Sequence, residues 1–216
     1  MPRKLREDYD GAWHHVLNRG VAKSTVFRDG ADREVFLRFL GEAAHRAALE
    51  VHGYCLLGNH YHLLIRSRDG RLSEGMRWLG GRYTQHVNYS LGRDGPLFRG
   101  RYTAVAIEGD AHLVRTSRYI HLNPVEAGLA RSADAWAWSS APAYLGSRAA
   151  LPWLVTELIL DMFGPGNSRE AYRDFLSAGV DKQTSGIYAR LLAIEEGVRP
   201  AGSDPAHPLA TERTRR

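Results

Sequence analysis

Residues 49–66 read LEVHGYCLLGNHYHLLIR. Two apolar, extended runs, 49–57 and 60–66, flank the turn-forming pair Gly58-Asn59, so the stretch predicts a β-hairpin. The second run carries His60-Tyr61-His62 and continues as Leu63-Leu64-Ile65, which predicts a central strand. Residues i and i+2 of a strand share a face, so His60 and His62 stand side by side, in a metal-ligand geometry. An H-x-H also arises by chance in a chain with ten histidines.

Before the hairpin, 12–18 (AWHHVLN) predicts a short strand stopped at Arg19-Gly20, and 31–48 predicts a helix. In that helix Val35, Phe36, Phe39, Leu40, Ala43 and Ala47 recur at helical spacing, and Asp32 suits the N-cap. After the hairpin, 72–90 predicts a second helix, interrupted by Gly80-Gly81, and 101–107 predicts a fourth strand. A third helix is expected from Asp110 to about Leu122, stopped by Asn123-Pro124. The order β-α-β-β-α-β plus a helix predicts an α+β, ferredoxin-like split βαβ fold.

The organisation expected is a main domain over 1–145, a helical extension over 146–196, and a basic, disordered tail over 197–216. The 216 residues hold one cysteine, Cys55, which excludes an internal disulfide framework and a cysteine-based zinc cluster. No apolar run reaches the roughly 20 residues that span a bilayer, and the polar N-terminus is unlike a secretory signal, so no membrane partner and a cytoplasmic location are expected.

The net charge is +5, and 26 of the 29 basic residues are arginines. Between Arg66 and Arg118 ten arginines face five acids, so this stretch alone balances at +5. Trp78, Tyr83, Tyr89, Phe98 and Tyr102 are interleaved with them. Arginine with aromatic rings suits a single-stranded nucleic acid surface, although a solvated basic face over core aromatics has the same composition. The arginines expected to contact DNA are Arg66, Arg68, Arg77, Arg82, Arg99, Arg101, Arg115 and Arg118. His14-His15 and Cys55 are expected to be structural.

Tyr119 and Asn123 lie one turn apart on the third helix, hence on one face. A tyrosine hydroxyl is a weak nucleophile, with an ordinary pKa near 10, and becomes useful beside a cation that polarises a phosphate. Asn123 could add an oxygen to a site begun by the histidines. Equally, Tyr119 could pack in the core and Asn123 cap the helix.

Taken together, HHVLNRG (14–20), GNHYHLLI (58–65), FRGRY (98–102) and SRYIHLNPVEAGL (117–129) resemble the single-tyrosine HUH transposases of insertion sequences. The REP-associated tyrosine transposases are the branch most similar, and WAWSS (136–140) resembles their stretch after the catalytic helix. The resemblance covers roughly 9–145. It implies a ferredoxin-like fold, a nucleophile at Tyr119, and a divalent cation, Mg²⁺ or Mn²⁺, held by His60, His62 and Asn123. It implies a single-stranded DNA nickase and strand transferase, in the bacterial nucleoid, that acts beside hairpins through a 5′-phosphotyrosine. Such enzymes act as monomers or homodimers. Tyr61 departs from the family's histidine motif and should face away from the cation. Two rival readings are a hairpin-binding protein without cleavage and a metal phosphohydrolase acting on a small substrate.

Overall fold

The computed structural model describes residues 8–179. Four strands form one sheet: β1 (Ala12–Arg19), β2 (Leu49–Leu56), β3 (His60–Ser67) and β4 (Thr103–Ile107). Their spatial order is β2-β3-β1-β4, and every neighbouring pair is antiparallel. Helices α1 (Gly30–Arg46) and α2 (Leu72–Ser90) follow β1 and β3, as the split βαβ pattern requires. Their apolar stripes, with Phe36 and Leu40 from α1 and Leu79 and Tyr83 from α2, join Val16, Tyr61, Leu63 and Ile65 of the sheet in one core. The opposite face of the sheet receives α3 (Asp110–Glu126), which packs on β2 and β3. Both faces are therefore covered, and β1, β2 and β3 are buried nearly end to end, their polar residues included.

Three local expectations are corrected. The α1 N-cap is Asp29, whose side chain accepts the Asp32 N–H at 3.0 Å. Asp32 is instead a buried partner of Arg28. Gly80-Gly81 does not interrupt α2, because the packing of Leu79, Tyr83 and Val87 carries the helix across the pair. Pro124 does not stop α3, which runs to Glu126. A proline so near the C-terminus forfeits a single bond to the preceding turn, and its own carbonyl accepts the Leu129 N–H at 2.8 Å.

Beyond α3 the chain closes the open edge of β2. The Leu56 N–H donates to Trp138 O, and the Ser140 N–H donates to Tyr54 O, both at 2.9 Å. Trp136 Nε1 donates to Leu56 O at 3.1 Å. The segment 136–140 thus pairs with an edge that would otherwise recruit another strand. Short helices α4 (Ala141–Tyr144) and α5 (Glu157–Asp161) and the longer α6 (Ser168–Ser177) follow. The boundary expected after residue 145 falls inside one compact unit that contains the sheet and α6. The end of the extension expected to be helical, from 180 to 196, and the tail from 197 lie outside the described residues. No helix among the described residues is long and apolar enough to cross a membrane.

Candidate active site

β3 lies between β1 and β2, and His62 stands opposite Leu17 on one side and Cys55 on the other. Alternation along β3 sends Tyr61, Leu63 and Ile65 into the core beneath α1 and α2. It sends His60 and His62 to the face that carries α3, with ring centroids 5.1 Å apart.

From α3, Tyr119 reaches the same place. Its ring meets His62 edge-on at a centroid distance of 5.5 Å, and it meets His15 at 5.8 Å. Tyr119 is 8% exposed, so it belongs to this buried cluster. Both halves of the cluster come from one chain.

His15 was not among the residues expected here. Its Nε2 lies 3.0 Å from His62 Nδ1, fully buried. The signal was the β1–β3 register, in which Leu17 faces His62, so that His15 falls on the same face two residues along. Register is a tertiary property and cannot be read from HHVLN alone. His14, on the opposite face, contacts Asp8 at 3.3 Å.

Burial keeps these imidazoles neutral. It lowers His15 to about 3, aided by His112, and His60 to about 4, aided by Arg19. His62 falls well below its ordinary value through burial and then through His60 and His15. Neutral imidazole is the metal-binding form. His60 Nδ1 lies 2.6 Å from Asn59 Oδ1, which only accepts, so Nδ1 carries the proton and Nε2 the lone pair. His62 Nε2 is buried without a hydrogen-bond partner, an atom that a cation would satisfy. Asn123 is half-buried one turn beyond Tyr119. Among the described residues no group of three His, Cys, Asp or Glu could hold a metal. His60 and His62 thus present two neutral imidazole nitrogens of the kind that bind a divalent cation.

The eight arginines do not lie on one side of the sheet. Arg118 is corrected: only 9% exposed, it stacks on Phe175 of α6 at 4.2 Å, because its helical position turns it inward. Arg66 and Arg68 share Glu50, at 3.5 and 2.7 Å. Arg77 and Arg82 ride on α2, across the sheet from Tyr119, and Arg82 covers Phe39. Arg99, Arg101 and Arg115 are exposed.

A family model described as transposase, IS200 like, matches residues 9–123. A solved REP-associated tyrosine transposase bound to a REP hairpin shares the fold, with a TM-score of 0.57 and 17% identity over 72% of this chain and 92% of that one. A crystal structure of a protein from Deinococcus radiodurans R1 aligns over 59% of this chain and 98% of that one at 12% identity and a TM-score of 0.39. No curated protein matches the chain.

Proposed function

The chain belongs to the IS200-like transposase family, and from that premise we propose that it nicks and rejoins single-stranded DNA through Tyr119. The observation that carries this reading is the ring contact between Tyr119 and His62, 57 residues apart in sequence and 5.5 Å apart in space. His60, His62 and Asn123 would hold the cation. Bound there, Mg²⁺ or Mn²⁺ supplies Lewis-acid polarisation of the scissile phosphate.

The remaining chemistry falls to the chain's own groups. Tyr119 Oη attacks phosphorus and gives up its proton. The bond from phosphorus to the 3′ oxygen breaks, that oxygen leaves as a 3′-OH, and a 5′-phosphotyrosine remains. A second 3′-OH attacking the phosphotyrosine reverses the step and restores the phenol, so no external energy source is needed. His15 and Asn59 fix the ring orientations of His62 and His60 through their Nδ1 atoms. Since one chain brings tyrosine and histidines together, a monomer suffices. The solved REP-associated relative was captured with hairpin DNA, which supports a hairpin-flanked substrate here.

The test is adduct formation. Incubated with a single-stranded oligonucleotide carrying a hairpin and with Mg²⁺ or Mn²⁺, the wild type should form a covalent protein–DNA species resolved on a denaturing gel. Tyr119→Phe should abolish that species and leave DNA affinity within about twofold, since only one hydroxyl is lost. An adduct that persists in Tyr119→Phe would refute the assignment.

A further inference from the structure

On the other side of the sheet a groove of about 840 Å³ runs between α2 and the segment 96–102, within the size range of small-ligand sites. One wall is a single face of α2, formed by Ser73, Arg77, Gly80, Gly81 and Thr84 at helical spacing. The facing wall holds Gly100 and Arg101, and Tyr61, Phe98 and Tyr102, all buried in the core, form an aromatic floor.

The glycine pair in α2 has no internal explanation. A Cβ on Gly75 of the same helix would meet Leu49 at 2.6 Å and Ala47 at 3.1 Å, so packing requires that glycine. A Cβ on Gly80, Gly81 or Gly100 would meet nothing within 4 Å. Each helical glycine costs about 0.8–1 kcal/mol relative to alanine, and neither α2 residue has a positive φ. The empty space in front of them is what their missing side chains preserve. Cations border that space: Arg77 and Arg101 are exposed, and the one acid of the lining, Glu74, is held by Arg71 at 2.8 Å.

We propose that this groove is a second DNA subsite, which takes an unpaired nucleotide of the single-stranded substrate, its base over the aromatic floor and its phosphate between Arg77 and Arg101. The inference rests on the DNA-cleaving reading above. Charge complementarity selects a nucleotide over an apolar ligand, and phosphate contact beside a ring is the pattern of sequence-tolerant single-strand binding. Its place also fits. Asn18 and Tyr61, which line the groove, pair with each other one step from the Arg19–His60 pair. The groove and the tyrosine site therefore lie back to back at one end of the sheet, and a strand can round that end from one to the other.

The experiment uses the full chain and fluorescence anisotropy with a single-stranded oligonucleotide and with a blunt duplex of the same sequence. Gly81→Leu fills the groove while favouring the helix, so the melting temperature should hold or rise. It should weaken single-strand binding roughly 10-fold and leave duplex binding unchanged. Replacing Arg77 and Arg101 together by Gln should lower the salt slope of single-strand binding by about 0.7, the value for the one phosphate they share. If the wild type binds and cleaves but neither substitution changes single-strand affinity, the groove proposal is overturned and the cleavage reading stands. Equal losses on duplex and single strand also overturn it, since a stacked base is absent from a duplex surface. If the wild type binds no DNA, both readings fall.

Discussion

Asp32 is 2% exposed and accepts hydrogen bonds from the Arg28 N–H at 2.9 Å, Nε at 2.7 Å and a terminal guanidinium nitrogen at 2.7 Å. The sequence suggested a cap at this position because an aspartate near a helix start usually is one. Asp29 takes that role three residues earlier, and Asp32 closes the polar turn back onto Arg28. The Arg28 hydrogen bond lowers the Asp32 carboxyl below its ordinary 3.8, against the opposing effect of burial. A carboxylate with a depressed folded pKa stabilises the fold fully above its unfolded value, and that stability is lost as pH falls through the folded value. Asp32→Asn should therefore cost about 1–3 kcal/mol near neutral pH. The difference from wild type should vanish in urea unfolding below the carboxylate range. A gap that persists in acid would mean that shape, rather than charge, is lost. His15 teaches the same lesson within the site, since its sequence neighbours gave no sign of the His62 contact.

Helix α3 carries Tyr119 on one face and its anchor on another. His121 and Ser117, one turn apart, both bond Tyr172 of α6, His121 Nδ1 at 2.6 Å and Ser117 Oγ at 3.0 Å. On its other side His121 Nε2 lies 2.7 Å from Ser140 Oγ, which takes the Tyr54 N–H of β2 at 2.9 Å. Three segments distant in sequence thus fix the pitch of the helix that presents the nucleophile. Tyr172→Phe keeps the ring but strands a buried imidazole nitrogen and should lower stability by about 1–3 kcal/mol. Chemical denaturation measures it, and an unchanged midpoint would show that the network does not anchor α3. The helix itself was legible, but its extension past Pro124 was not, because the stop signal of proline is weak in a last turn whose other side chains are packed.

For the molecule as a whole, the segments after α3 are structural parts of the sheet's unit. Arg148 ties the edge segment with bonds to Ala137 O at 2.7 Å and Ser139 O at 2.8 Å, and the Val155 N–H donates to Val51 O of β2 at 3.0 Å. A chain ended after Leu145 would expose the β2 edge and leave both His121 and Arg118 without their α6 partners. It should lose its cooperative thermal transition and associate through that edge, as followed by circular dichroism and light scattering. A sharp transition near that of the full chain would show that 12–145 folds alone. The sequence by itself determined the order of strands and helices, the hairpin that carries His60 and His62, and the pairing of Tyr119 with Asn123 on one helix face. Those depend on periods of 2 and 3.6 residues and on local turn residues, which are properties of short stretches. Only the tertiary structure decided which arginines are free, that His15 joins His62, that 136–155 seals the β2 edge, and that a groove opens opposite the tyrosine. Each of these depends on strand register and on contacts between residues far apart in sequence, which no local pattern encodes.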